Sequence, residues 1–191
     1  MTFPLTKEDR AGCIVKETAK MSYPSSMSRG KKPVVMKGTK ALVADYFVKQ
    51  FSLASLEKIK TAQEYEKWHF TLTRELARHI CKHVHNYNEP MSVAAKFANT
   101  FMHQLTKYSE ARHLLPFLHV PLDARVFAKL RKSKTTALSI CHSVLKQSPY
   151  SLRYRHHLRV QKQLLVWMKE LNERSNTDIC VSRIDFNWLW L

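Results

Sequence analysis

Between Asp123 and Glu170 the chain has no Asp or Glu, while Arg125, Lys129, Arg131, Lys132, Lys134, Lys146, Arg153, Arg155, Arg159, Lys162 and Lys169 all fall in that interval. Solvated faces ordinarily mix both signs to limit repulsion, so a one-sign stretch points to neutralisation of a polyanion such as a phosphate backbone. Within it, Arg153-Tyr154-Arg155-His156-His157 sets cations beside planar rings. That combination can grip phosphates while a ring such as Tyr154 or His156 stacks on an unpaired base. Two smaller groupings have the residue types of metal or acid-base chemistry. Glu75, His79 and His83 follow one another at four-residue spacing and project from one helix face, and His69, Cys81, His85 or His103 could complete a ligand set. The glutamate that zinc proteases place between their histidines is missing, so a polar face that gains charge on protonation is preferred and no metal is assigned. Glu64-x-Glu66-Lys67 has nuclease-like residue types. It lies in a helical pattern with no preceding strand, in a carboxylate-poor chain, and reads as solvated surface.

Asp123 stands just ahead of a helical pattern, where its carboxylate can accept backbone N–H groups as an N-cap. The run Val120-Pro121-Leu122-Asp123-Ala124-Arg125-Val126 also resembles the V-P-V-D-x-H-V type segment of helix-hairpin-helix DNA glycosylases, an all-helical base-excision family. The resemblance implies that Asp123 matches the catalytic Asp that assists departure of a damaged base. Arg125 then stands where the family often has His or a similar polar residue. A bifunctional enzyme would also need a Lys nucleophile, for which Lys96 and Lys107 are available. The family's L-P-G-x-G hairpin has no counterpart, because no glycine follows Gly38.

The overall charge agrees with the first of these signals. In 191 residues, 32 Lys and Arg against 15 Asp and Glu give a formal net charge of +17. The 45% hydrophobic content excludes a disordered basic tail, which lacks the apolar surface to offset chain entropy. Only Gly12, Gly30 and Gly38 occur, so P-loop and Rossmann phosphate cradles are excluded. Cys13, Cys81, Cys141 and Cys180 form no C-x-x-C pair, which removes zinc ribbons and suits a reducing compartment. The charged first ten residues do not read as a secretion signal, and no stretch approaches the roughly 18 consecutive apolar residues of a spanning helix. The expected location is the cytoplasm, with the nucleus as an alternative, and no membrane partner and no cofactor are expected.

Positioning such groups requires a helical frame, and the sequence supplies one. Thr6 and Asp9 form a capping box opening a helix over 7–21. Residues 22–38, rich in Ser, Pro, Gly and cations including Lys31 and Lys32, read as a basic loop or arm. Thr61 and Glu64 form a second box ahead of Tyr65, Trp68, Leu72, Leu76 and Ile80 at helical spacing. Pro90 opens a helix whose apolar line is Val93, Phe97, Phe101 and Leu105. Phe117-Leu118-His119, between two prolines, reads as a buried connector. Further helices are expected from about 123 to 131, from about 135 to 146, and from Pro149, capped by Ser148, to about 171. The aromatic tail with Trp188 and Trp190 docks on the core or contacts a protein partner.

Together these features predict an all-α, single multi-helix domain over 39–191, preceded by an N-terminal helix and a basic loop. The predicted function is nucleic-acid binding, DNA ahead of RNA, through a one-sign basic face at about 124–169 and without covalent chemistry. Base excision by Asp123 is one alternative. A non-catalytic place in a nucleoprotein assembly is another.

Overall fold

A computed structural model describes residues 6–28, 32–132 and 142–176. They form α1 (Lys7–Met21), α2 (Thr39–Gln50), α3 (Ala62–Ile80), α4 (Pro90–Leu105), α5 (Ala124–Lys132), α6 (His142–Lys146) and α7 (Tyr154–Ser175), with short 3₁₀ segments between them. Among the described residues the only extended pairing is an isolated antiparallel bridge, Val35 with Val84. The fold is a single all-α domain.

Both capping boxes form. The Thr6 side chain accepts from the Asp9 N–H and the Thr61 side chain from the Glu64 N–H, with each acid reaching back to its cap backbone. These satisfy N–H groups that have no partner inside the helix. Pro90 occupies the first turn of α4. The start of α2 is different: Gly38 at φ 92° turns the chain in, a conformation costly for any residue with a Cβ.

The apolar side chains gather into two cores that are successive in sequence. The first runs from Ile14 to Leu118 and joins α1 through α4, centred on Phe47, Leu76, Phe97 and Phe101. The second begins at Val120 and joins α5, α6 and α7 through Phe127, Leu130, Leu152, Leu164 and Trp167. The predicted connector is where one gives way to the other, with Leu118 and His119 both buried.

Two expectations change. Residues 22–38 are not a detached arm where they are described. Met27 and Val35 are buried, the Met36 N–H donates to the His83 carbonyl at 2.8 Å, and the His85 N–H donates to the Val34 carbonyl at 3.2 Å. The short run Val34-Val35-Met36 supplies the apolar anchor and Val84 the partner. The last helix also starts later than Pro149. Ser148 closes a turn instead, its hydroxyl accepting from the Tyr150 N–H at 3.3 Å and its carbonyl from the Ser151 N–H at 3.1 Å. Leu152 then drops into the second core, and α7 begins at Tyr154 with no side-chain cap.

Candidate nucleic-acid interface and the polar seam beneath it

Helix α4 has two faces of opposite character. Val93, Phe97, Phe101 and Leu105 fill the first core, as their spacing predicts. Ser92, Lys96 and Asn99, at four- and three-residue steps, form a buried polar stripe that meets the chain from Val120 onward. Ser92 donates its hydroxyl to the Leu152 carbonyl at 2.5 Å, and Asn99 donates its amide to the Val120 carbonyl at 3.3 Å. Lys96, only 6% exposed, donates its ammonium to the Pro121 carbonyl at 2.6 Å and to Asp123 Oδ2 at 3.3 Å.

Asp123 thereby has two jobs. Its Oδ1 accepts from the backbone N–H groups of Arg125 at 2.9 Å and Val126 at 3.0 Å, the N-cap predicted from its position. Its Oδ2 holds Lys96. The same residue also lines a cavity of about 450 Å³ between the N-terminal loop, the segment after the 3₁₀ turn at Cys81–His83, the start of α5 and the Ser148 turn. Lys32 and Arg125 stand at this cavity, with Tyr87 and Tyr150 as its aromatic walls. Two basic segments some 90 residues apart thus meet at one concavity, and its single acid is paired with a buried ammonium. Lys107 stands elsewhere on the chain and makes no part of this cavity's lining.

Behind this surface the seam continues as a cluster of imidazoles. His69 on α3, His119 in the connector and His157 on α7 are all buried, with ring centroids 4.6 Å apart for His69 and His119 and 6.5 Å for His119 and His157. His69 Nε2 donates to Asn99 Oδ1 at 2.7 Å, which leaves Nδ1 to accept from the Tyr154 hydroxyl at 3.3 Å. The Gln161 side-chain amide brackets the Val120 peptide, accepting its N–H at 2.9 Å and donating to its carbonyl at 2.7 Å. Burial pushes His69 down to about 4 and His157 down to about 3, in the latter case with His69 adding to the effect. His119 is pushed well below the ordinary histidine range by burial, then by His69, His157 and Lys162. The Nδ1 atoms of His119 and His157 have no hydrogen-bond partner among the described residues.

The predicted cations divide by position. Arg125, Arg131, Lys132, Lys146, Arg153, Arg155, Arg159, Lys162 and Lys169 are exposed and Lys129 half-exposed. Some of them have internal engagements: Arg131 donates to the Leu145 carbonyl at 2.7 Å, and Lys162 lies 3.7 Å from Glu66. Lys31, Lys134, Trp188 and Trp190 lie outside the described residues. Tyr154 is not an open stacking surface, because its ring stacks on His157 at 5.6 Å and 7° and meets Phe70 at 5.6 Å. His156 is half-buried.

The other groupings become structural. Glu64 serves its capping box and also accepts from the Lys60 N–H at 2.8 Å, which lowers its pKa most, followed by Thr61, and Glu66 pairs with Lys162. Glu75 accepts from the Tyr46 hydroxyl at 3.5 Å, and the His79 ring lies 5.4 Å from that of Tyr46. Among the described residues no group of three or more His, Cys, Asp or Glu is placed to hold a metal. No helix among them is long and apolar enough to cross a membrane. Cys13 and Cys81 are exposed free thiols. No protein-family model, curated protein or solved structure matches the chain.

Sequence reasoning missed the seam residues Ser92, Asn99 and Gln161, and placed His119 only as part of the buried connector. The signal was available for the first two: polar residues at 92, 96 and 99 in an otherwise apolar helix mark a second buried face, not a solvated one. Gln161 had no signal, since its role depends on where the connector lies.

Proposed function

We propose that the protein binds nucleic acid, DNA ahead of RNA, through the phosphate backbone. The carrying observation is the meeting of Lys32 and Arg125 at one concavity whose only carboxylate, Asp123, is paired with Lys96. Exposed cations of α5 to α7 extend the positive surface, with no acid between Asp123 and Glu170 to offset them. Clustered side-chain cations of this kind release condensed counterions on binding, so affinity falls steeply with salt. The chain's glycine poverty fits the same picture, since phosphate contact then rests on Lys and Arg side chains more than on backbone amides.

The test is binding of a labelled duplex, a single-stranded DNA and an RNA across a salt series. The expected result is a log–log slope corresponding to several phosphates per complex. A flat salt dependence, or no binding to any of the three, overturns the reading.

Base excision at Asp123 is a second reading, supported by that residue's place at the cavity beside Lys96. Against it, both carboxylate oxygens are already engaged, one by the α5 cap and one by Lys96. Asp123→Asn retains a capping side chain and removes the charge. Release of damaged bases by the wild type that disappears in Asp123→Asn would establish the enzyme reading; no release by the wild type removes it.

A further inference from the structure

Phe70 is a large ring on the outer face of α3, 40% exposed, in a position where burial gives no reason for an aromatic side chain. It is held in place by its neighbours. The Arg74 guanidinium lies over its ring, 5.6 Å from the centroid, and the Tyr154 ring meets it at 5.6 Å and 49°. Tyr154 is itself fixed, stacked on buried His157 and hydrogen-bonded to buried His69. The exposed ring is therefore backed by a rigid stack running into the polar seam.

Its surroundings are cationic. Lys67 and Arg74 are exposed on the same helix, and Arg153 and Arg155 flank Tyr154 on α7. The nearby acid on this side, Glu66, is paired with Lys162 at 3.7 Å. A fixed, part-exposed ring with a guanidinium plane over it and cations around it matches the two needs of an unpaired nucleotide: a planar surface for its base, made by ring and guanidinium together, and charge for its phosphate. A base inside a duplex has both faces covered by its neighbours and cannot use such a ring.

We infer that Phe70 and Arg74 form a stacking platform for an unpaired base, so that the protein engages single-stranded nucleic acid at the α3–α7 face. This rests on the nucleic-acid reading above and narrows it to a strand class. It also moves the stacking role from Tyr154, one face of whose ring is stacked on His157, to the more exposed Phe70.

The test compares labelled oligothymidylate with a duplex of equal length, using the full chain and the variants Phe70→Ala and Phe70→Trp. Stacking of one base supports a loss of about tenfold in oligothymidylate affinity for Phe70→Ala, with duplex affinity unchanged. Phe70→Trp should keep the affinity and report contact through quenching that follows oligothymidylate saturation. Phe70 is surface-exposed, and thermal melting of each variant checks that the fold is retained. If the wild type binds oligothymidylate and Phe70→Ala binds it equally well, the platform is overturned while the backbone-binding reading stands. Equal losses on both strands overturn it too, because the ring would then not discriminate unpaired bases. If the wild type does not bind oligothymidylate the platform falls, and if it binds neither oligothymidylate nor the duplex nor an RNA, both readings fall.

Discussion

Acidification should loosen the protein well before its carboxylates titrate. In the folded state His69, His119 and His157 are held neutral by burial, whereas in the unfolded chain each protonates near 6.5. Their folded pKa values are depressed, so the folded state is favoured above 6.5 and loses stability as pH falls below it toward about 4 for His69 and about 3 for His157. At about pH 5 the unfolded chain has taken up a proton at each position that the folded chain refuses, costing about 2 kcal/mol for each of His69 and His157. His119 acts in the same direction, and His103, lowered to about 4 by burial and then by Lys107, adds to it. A loss of roughly 4 kcal/mol from the first two alone is large against the 5–15 kcal/mol of a typical domain. The cluster also faces Tyr65 and Glu66 on α3, and Tyr154 and Lys162 on α7, none of which supplies a buried anion that would welcome a proton. Urea unfolding followed by tryptophan fluorescence between about pH 7.5 and 5 measures the effect, a window above most carboxylate titration. Toward pH 5 the slope should approach uptake of about four protons on unfolding, one for each of these histidines, and the pair His69→Gln with His157→Gln should roughly halve it. Equal stability at both ends, or a wild-type slope retained by the double variant, refutes the reasoning.

Lys96→Ala removes the ammonium that holds Asp123 and the Pro121 carbonyl, and a loss of about 3 kcal/mol is expected in urea unfolding. Adding Asp123→Asn to Lys96→Ala should cost less than the sum of the single losses, because the remaining charge no longer lacks a partner; strict additivity would dissolve the pair. Thr61→Ala breaks the α3 capping box and should lower stability by about 1 kcal/mol without touching oligonucleotide affinity. Phe101→Ala, in the centre of the first core, should cost about 4 kcal/mol by the same unfolding measurement.

What the sequence disclosed and what it withheld divide along a physical line. Local rules sufficed for α1, α3 and α4: Thr6 with Asp9, Thr61 with Glu64, and Pro90 each mark a start that depends only on neighbours within a turn. The start of α7 failed because Ser148-Pro149 is an equally good turn opening, and the choice was made by Leu152 reaching the second core. Asp123 was readable as a cap, but its second role needed Lys96, 27 positions earlier, brought up by helix packing. Lys96 itself entered only as an available lysine nucleophile, although its spacing with Ser92 and Asn99 on an otherwise apolar helix is the signal that this face is covered. The histidines give the same lesson. His79 and His83 had the suggestive spacing and remain at or near the surface, while His69, His119 and His157, spread over 88 positions, are the ones that meet.

The order of the two cores along the chain has a consequence for synthesis. Every buried residue of the first lies at or before Leu118, with Tyr150 a half-buried later addition at its edge, and the second begins at Val120. A chain emerging from its N-terminus can therefore close the first core while the second is still being made, in line with the tendency of nascent units to fold in the order they appear. The α4 face left waiting during that interval offers water Ser92, Lys96 and Asn99, groups that water can solvate. A half-made chain with an apolar face there would have exposed a surface prone to aggregation, so the polar stripe protects the nascent protein during the interval before its partner layer arrives.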